Sequence, residues 1–316
     1  MSSYAAPASQ PVGPEILTGI GVHGGRPCRL EIRLDGQSAS GEGGVRAAAS
    51  GPRFAFPGFP GSLSIAGLAS LPRHARNATV LGGGENGNTQ ATIGTPEHLL
   101  AALLFFPAAP IRVRADASEL PGLDGSALPY REALARLLPA AAPAWREYPT
   151  DLEWTHAWPD GDMTIRPAER FRATYVLERG PLRQTFALSD ADTAWREILP
   201  ARTFAFHREW RAALAQGLMA GAGRDSGLLL AESEAEFRAV LAQHPEWEGG
   251  PYPLLNQTAW RMQDEPVKHK LLDLLGDLAL NGLALPKAEI RIRNGGHHAH
   301  HALLARLASS ASESSL

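Results

Sequence analysis

The sequence predicts an α+β protein of two halves, each of which combines a sheet with helices. Segments in which polar and apolar residues alternate, as in half-buried strands, are interspersed with longer apolar segments of helical character. The same kinds of segment recur in both halves of the 316-residue chain, and 44% of its residues are hydrophobic. This content suffices for two packed cores, and helices on one side of each sheet fit the pattern.

The first half contains two predicted strands and two predicted helices. In chain order they are the strand Arg29–Leu34, the helix Thr95–Phe106, the strand Ile111–Ala115 and the helix Ala127–Leu138. Thr95 followed by Pro96 is a favourable pair for an N-cap and a first helical turn. We therefore expect Thr95 to cap the first helix.

The second half contains three predicted strands and four predicted helices. The strands are Ala173–Leu177, Gln184–Leu188 and Glu289–Arg293; the helices are Glu209–Gln216, Glu232–Gln243, Val267–Leu280 and His300–Leu307. A stretch rich in Pro and Ala, Leu138–Pro149, predicts a linker between the halves. We therefore expect domains over residues 15–145 and 150–308, with disordered ends at 1–14 and 309–316, which offer little apolar surface to bury.

The composition excludes several functional classes. A formal net charge of −3 gives no electrostatic footprint for nucleic acid. The longest apolar run is broken by prolines and an arginine, and the N-terminus lacks the features of a signal peptide, so we expect no transmembrane segment. The lone Cys28 permits no intrachain disulfide and fits a reducing cytoplasm. The motifs of serine hydrolases, P-loop NTPases and Rossmann enzymes are absent from the sequence.

Glu97 and His98 stand in the first turn of the helix that follows Thr95. One interpretation is a general base beside a metal ligand. The other is that Glu97 complements the helix dipole while His98 lies on the surface. Taken alone, this pair favours the second interpretation.

A second cluster places His269, Asp273 and Asp277 at i, i+4 and i+8, on one face of a leucine-rich helix. Carboxylates on a buried helix need partners because an unpaired buried charge is very costly. A divalent metal ion would be such a partner, and His and Asp one turn apart can bind the same ion. A solvated stripe with a His–Asp ion pair explains the spacing equally well, so both interpretations stay open here.

A third cluster, Gly295-Gly296-His297-His298-Ala299-His300-His301, precedes the last helix. Glycines before a helix favour close backbone approach or anion binding. In such a cluster one histidine is usually functional and the others exposed. We single out His297 because it directly follows the glycines.

Several motifs occur in one order: TPEHLLAAL, LDGSALPY, ARTFAF, VKHKLLDLLGDLAL and the Gly-His before the last helix. In this order they resemble the zinc-dependent UDP-(3-O-acyl)-N-acetylglucosamine deacetylases of lipid A biosynthesis. The resemblance extends over residues 16–308. It implies two similar β/α domains whose helices pack between two outer sheets, a four-layer sandwich with the active site in the interdomain cleft.

The resemblance also implies a metal site. His98, His269 and Asp273 match the zinc ligands of the family, and two His with one Asp leave a fourth position open for water. Glu97 matches the general base that takes a proton from that water. The same donor set also accepts Fe(II), so Fe²⁺ is a second possible metal.

Four further residues match catalytic positions of the family. Thr203 and Lys270 match residues that contact the tetrahedral intermediate, by hydrogen bond and by charge respectively. His297 matches the protonated histidine that stabilises the oxyanion and passes a proton to the leaving amine. Asp277 matches its carboxylate partner, which would raise the pKa of that histidine.

Outside the metal-bearing segments the chain departs from the family pattern. The differences are Ala109 and Pro110 for an Asp-Asn pair, Gly223, Arg224 and Ser226 for Ser-Leu and Asn in an acyl-passage segment, and His300 for an Asn. Residues 35–90 also match poorly. The chemistry is thus retained while the parts that shape the substrate pocket are altered, and Arg224 would favour a smaller or more polar substrate.

The resulting prediction is a zinc-dependent amide hydrolase that removes an acetyl group from an N-acetylated, UDP-linked glucosamine derivative. Two alternatives stay open: the same zinc chemistry on another N-acyl compound, and a non-catalytic binding or regulatory paralogue. Five catalytic positions are retained beside the ligands, and this argues against the second alternative, because metal binding alone needs only the three ligands. These positions are Glu97, Thr203, Lys270, Asp277 and His297. We expect a monomer whose partner is a small-molecule N-acetylated sugar.

Overall fold

The computed structural model describes residues 13–35, 51–75, 78–82, 91–107, 110–147, 153–257 and 259–313. Several predictions fall outside the described residues: the N-terminal end up to residue 12, Ala109, the boundary at 148–150 and the last three residues. Along the described chain, no helix combines the length and the apolar character needed to cross a membrane.

Short and long strands alternate with eight α-helices and one short 3₁₀ helix, Ala191–Thr193, along the described residues. The strands are β1 (Glu15–Ile20), β2 (Pro27–Leu34), β3 (Arg53–Ala55), β4 (Arg73–Ala75), β5 (Thr79–Gly82), β6 (Thr92–Gly94), β7 (Ile111–Ala115), β8 (Ala144–Arg146), β9 (Trp154–Trp158), β10 (Gly161–Pro167), β11 (Arg172–Arg179), β12 (Leu182–Leu188), β13 (Phe204–Phe206), β14 (Leu228–Leu230), β15 (Ala284–Pro286) and β16 (Ala288–Arg293). The helices are α1 (Ile65–Ala69), α2 (Glu97–Leu103), α3 (Leu128–Leu137), α4 (Ala194–Glu197), α5 (His207–Ala215), α6 (Glu234–Gln243), α7 (Glu265–Leu278) and α8 (His297–Glu313).

The two largest sheets among the described residues have four and five strands. The first has the order β1-β2-β7-β3 and the second the order β12-β11-β16-β10-β9. Burial alternates along their central strands: in β16, Ala288, Ile290 and Ile292 are fully buried while the residues between them are exposed. Each sheet therefore has one apolar face toward the core and one toward solvent, as the alternating sequence predicts.

Helices cover the apolar faces. Helix α3 contacts β1 and β2, and α7 contacts β11 and β12. Helix α2 packs directly against α7, and a Cβ atom at Gly276 would lie only 2.1 Å from the carbonyl oxygen of Glu97. The absence of a side chain at Gly276 thus lets the two helices approach closely enough for their polar side chains to meet.

The predicted strands and helices of both halves are confirmed, and three further sheets were not predicted. These are β4-β5-β6, β13-β14 and β15-β8. The last one corrects the prediction of a linker over Leu138–Pro149. In that stretch Ala144–Arg146 pairs in parallel with Ala284–Pro286, so backbone hydrogen bonds between distant segments turn part of it into a strand.

Two predicted helix ends were wrong. Thr95 does not cap α2: its φ is +50°, its hydroxyl donates to the carbonyl of Leu120, and Pro96 occupies the N-cap position. At the other end of the chain, residues 309–313 belong to α8 rather than to a disordered tail. There the hydroxyls of Ser309 and Ser310 donate to carbonyls one turn earlier, and Ser310 is buried.

Candidate metal centre and active site

His98, His269 and Asp273 meet where α2 packs against α7. Nε2 of His269 lies 3.2 Å from Oδ1 of Asp273, and Nε2 of His98 lies 3.8 Å from the same oxygen. The three possible ligand atoms all lie within 4.8 Å of one another. His98 comes from the start of α2 and the other two residues from successive turns of α7. Two imidazole nitrogens and one carboxylate oxygen therefore converge on one point, as a divalent metal ion requires.

Neighbouring groups fix the orientation of His269 and shift the pKa values of His98 and Asp273. Nδ1 of His269 donates to the carbonyl of Ala201 at 3.0 Å, which holds the ring in the orientation that directs Nε2 at Asp273. Burial and the neighbouring His269 lower the pKa of His98 to about 3, so its ring is neutral at physiological pH. Burial alone would raise the pKa of Asp273, but His269 and Lys270 hold it well below the ordinary value.

Glu97 lies beside this cluster with a side chain that is almost fully buried. Its Oε2 has no hydrogen-bond partner among the described residues, and its Oε1 lies 3.8 Å from Nε2 of His297. Burial raises the pKa of Glu97 to about 8, against the opposing effect of His297. A buried carboxylate oxygen without a partner is costly, so this atom indicates a place for a further polar group such as a water molecule. The residues thus fit a metal site that also holds water.

His297 lies across from Glu97, at the start of α8. Its Nδ1 donates to Oδ2 of Asp277 at 2.8 Å, and its Nε2 lies 3.9 Å from Oδ2 of Asp273. Burial lowers the pKa of His297, but the charge and hydrogen bond of Asp277 outweigh burial and raise it to about 9. His297 is therefore protonated at neutral pH, with an N–H group directed at Glu97 and Asp273.

Lys270 and Thr203 complete the set expected from the sequence. Nζ of Lys270 donates to Oδ2 of Asp273 at 2.8 Å. Lys270, Thr203 and His297 line one cavity of about 900 Å³. The cavity therefore borders the cluster through Lys270 and His297, whereas His98, His269, Asp273 and Glu97 are not among its lining residues.

The rest of the cavity combines apolar and charged side chains. Trp210, Met219 and Trp247 line it, as do the charged residues Arg179 and Arg224. Arg224 is exposed and its guanidinium donates to the carboxylate of Glu248 at 2.8 Å. Arg224, from which the sequence analysis predicted a smaller or more polar substrate, thus lines the cavity, where it forms an exposed ion pair.

Sequence reasoning missed several residues of this region. His23 lines the cavity, and the backbone N–H groups of His23 and Gly24 bind the carboxylate of Glu119 at 2.8 and 2.7 Å. Glycines flank His23 in the sequence, which favours a tight loop but does not indicate which residues that loop contacts. Thr79 and His300 lie next to His297. The sequence pointed to His300 only as a member of the histidine cluster, and it did not point to Thr79.

Asp277, His297 and His300 form a second group that has the geometry for a metal ion. In this group both rings direct Nδ1 at the same carboxylate oxygen, Oδ2 of Asp277, at 2.8 Å. These are ordinary hydrogen-bond distances, and an ionised carboxylate accepts both donors. The first group, which has a partnerless carboxylate oxygen beside it, fits a metal ion better.

Comparison with known proteins gives a match over most of the chain. Residues 13–237 and 250–309 match the family described as "LpxC: UDP-3-O-acyl N-acetylglycosamine deacetylase". The chain belongs to the LpxC family. It is thereby a member of a family of amide-hydrolysing deacetylases with mixed helices and sheets, which confirms the resemblance found in the sequence. Glu97, His98 and Thr203 lie in the first matched range, and the residues of α7 and His297 lie in the second.

Curated members of the LpxC family share about three residues in ten with the chain. The bifunctional enzyme LpxC/FabZ of Chlorobaculum tepidum is 29% identical over 299 residues, which cover 89% of this chain and 60% of that protein. The UDP-3-O-acyl-N-acetylglucosamine deacetylase of Anaeromyxobacter dehalogenans is 28% identical over 305 residues, covering 92% and 83%. The enzyme of the same name from Nostoc sp. is 30% identical over 301 residues, covering 92% and 94%. The chain thus spans 60% of the bifunctional relative and most of the other two.

Proposed function

We propose that this chain is a zinc-dependent deacetylase that hydrolyses the acetamide of a UDP-linked, 3-O-acylated N-acetylglucosamine. The observation that carries the proposal is the convergence of His98, His269 and Asp273 beside the partnerless carboxylate oxygen of Glu97. The names of the family relatives support the substrate. That the enzyme acts as a monomer in the cytoplasm stays a prediction of the sequence.

We propose the corresponding architecture as well: similar domains over residues 15–145 and 150–308, helices between two outer sheets, and the site in the cleft between domains. Support comes from the contact of α2 with α7, because His98 comes from the first half and His269 from the second. The cavity is likewise lined by residues from both halves, among them Val22 and Lys270.

His98, His269 and Asp273 would hold the metal ion, with Zn²⁺ proposed and Fe²⁺ as the second candidate. When bound there, the ion supplies Lewis acidity, which acidifies water and polarises a carbonyl group. The hydrogen bond from His269 to Ala201 and that from Lys270 to Asp273 fix the orientation of two of the three ligands.

Glu97 acts as the general base. In its ionised form, Glu97 accepts a proton at Oε2 from the attacking water, whose oxygen forms a bond to the amide carbon. A carboxyl group in an apolar environment is a stronger base than an exposed one, which is the direction in which burial shifts the pKa of Glu97.

His297 acts as the general acid. Its Nε2–H stabilises the negative charge that develops on the amide oxygen and donates a proton to the nitrogen as the C–N bond breaks. Asp277 keeps the ring protonated and oriented through Nδ1. Lys270 and Thr203, which share the cavity wall with His297, add a positive charge and a hydroxyl donor. The products are acetate and a free amine.

The same chemistry on a more polar N-acyl compound is a second candidate. The exposed pair of Arg224 with Glu248 at the cavity favours it, because an acyl chain gains nothing from charged neighbours. Trp247 and Glu248 also lie in residues 238–249, the internal stretch outside the family match.

The test is a substrate panel with the zinc-loaded protein. We expect acetate release from UDP-3-O-acyl-N-acetylglucosamine, and less from UDP-N-acetylglucosamine, which lacks the acyl chain. Faster turnover of the unacylated sugar would favour the second candidate. No acetate from either compound, at one zinc per chain, would contradict a UDP-linked N-acetylglucosamine substrate, acylated or not.

A further inference from the structure

The carboxylate of Asp277 is fully buried, and both of its oxygens accept hydrogen bonds. Oδ2 accepts from Nδ1 of His297 and from Nδ1 of His300, each at 2.8 Å. Oδ1 accepts from the hydroxyl of Thr79 at 2.5 Å. An ionised carboxylate can only accept, so each of these three groups must carry the hydrogen.

These bonds fix the protonation of His300. Its ring has no exposed surface, and burial lowers its pKa, so the ring is neutral and carries one N–H. That N–H is at Nδ1, because Nδ1 donates to Asp277. Nε2 is buried and has no hydrogen-bond partner among the described residues. Among the described residues, the one polar contact of the His300 ring is therefore with the carboxylate of Asp277, which also binds His297.

The hydroxyl of Thr79 has three polar neighbours. Its hydrogen points at Asp277, and its oxygen lies 3.1 Å from Nδ1 of His297 and 2.9 Å from Nε2 of His301. Thr79 is fully buried in β5, in the first half of the chain, whereas Asp277 and both histidines belong to α7 and α8. The hydroxyl of Thr79 thus connects β5 to α7, which carries Asp277, and to α8, which carries His297.

We propose that His300 and Thr79 are positioning residues that hold the Asp277 carboxylate in the one orientation in which it binds His297. Two oxygens held by separate donors cannot rotate about the bond to Cγ, so the ring of His297 keeps its Nε2 directed at Glu97 and Asp273. The inference rests on the proposed function for its effect on rate.

The experiment compares matched pairs of variants: His300→Leu with His300→Asn, and Thr79→Val with Thr79→Ser. Leu and Val remove the donor at similar volume, whereas Asn places an amide N–H where Nδ1 lies, and Ser keeps the hydroxyl. We expect His300→Leu and Thr79→Val to lower kcat by at least about 10-fold, as for other outer-sphere partners, with KM within about twofold. His300→Asn and Thr79→Ser should recover most of the loss, and zinc content should stay at one per chain.

A second readout does not depend on turnover. The hydrogen-bonded Nδ1–H of His297 gives a downfield proton resonance in protein with ¹⁵N-labelled histidine, and we expect His300→Leu to shift or broaden it and His300→Asn to preserve it. If the wild-type protein is inactive, the proposed function fails and this resonance alone decides the inference. The inference would be overturned if both His300→Leu and Thr79→Val kept the kcat of the wild type, or if the resonance were unchanged in His300→Leu.

Discussion

At the scale of single residues, the buried carboxylates of the site differ in the partners around them. Asp277 accepts from three donors, and Asp273 lies beside His269 and Lys270. These partners overcome burial and lower the pKa of both aspartates. Glu97 has one uncompensated oxygen, and burial raises its pKa to about 8. One set of carboxyl groups thus yields two fixed anions and one proton acceptor.

The pKa of His297 predicts a pH dependence of stability in the metal-free protein. Its pKa rises from 6.5 to about 9 on folding, because Asp277 outweighs burial. The protonated ring therefore stabilises the fold in full below pH 6.5, and this contribution is lost as the pH rises to about 9. Denaturant unfolding in EDTA should show the free energy of unfolding falling over this window.

His297→Gln is the control for this prediction. Glu97, whose pKa is raised from 4.5 to about 8, gives a slope of the same sign at lower pH, so the decisive quantity is the difference between wild type and variant. That difference should shrink as the pH rises toward 9. A difference that is constant with pH would show that His297 is not the titrating group.

Sequence reasoning brought together the residues whose spacing lies within one helix. His269 and Asp273 are one turn apart, so a pattern of period 3.6 suffices to place them on one face. Thr79 and Asp277 are 198 positions apart, and no local pattern connects a threonine in a short strand with that helix. The prediction that Thr95 caps α2 was wrong because its hydroxyl donates to the carbonyl of Leu120 instead, a contact that exists only in the folded chain.

At the scale of secondary-structure elements, the close contact of α2 with α7 sets the distance between His98 and the two proposed ligands on α7, His269 and Asp273. Gly276 faces the backbone of Glu97, and a Cβ there would lie 2.1 Å from its carbonyl oxygen. Gly276→Ala should therefore push the helices apart. We expect it to cost about 1–3 kcal/mol of unfolding free energy, as overpacked cores do, and to weaken zinc affinity.

Gly67→Ala is the matched control, a second helical glycine. A Cβ at Gly67 would meet only ordinary contacts, the nearest being 3.4 Å from the side chain of Leu63. Since alanine has the higher helix propensity, this variant should be neutral or more stable. Thermal unfolding of both proteins checks the contrast, and equal stability of the two variants would refute the role given to Gly276.

The longer elements were predictable and the shortest ones were not. Strands such as β7 and β16 show several alternations of polar and apolar residues, which the sequence displays directly. Strands β8 and β15 have three residues each, too few for a period, and form only because segments 140 residues apart align. The linker predicted from the composition of Leu138–Pro149 therefore missed the strand Ala144–Arg146 within it.

At the scale of the whole molecule, the proposed metal site includes residues from both halves of the chain. His98 comes from the first half and His269 with Asp273 from the second, so an ion bound there would stabilise the folded state and the contact between the halves together. Binding to the folded state alone adds about 4 kcal/mol when free ligand exceeds Kd a thousandfold. We therefore expect chelation to lower Tm and added zinc to restore it.

Asp273→Ala supplies the comparison for this prediction, because it removes one ligand. Its Tm should respond little to either zinc or chelator. A wild-type Tm that is independent of chelator, in protein shown to lose its metal, would mean that the ion does not connect the two halves.

The central claim is that Glu97 activates water at a metal ion held by His98, His269 and Asp273. Its most direct test is kcat for acetate release by wild type and Glu97→Gln, with zinc content measured on the same preparations. We expect one zinc per chain in both proteins and a kcat lower by a factor of about 10²–10⁴ in the variant, the usual contribution of a general base. Equal kcat at equal zinc content would contradict the claim.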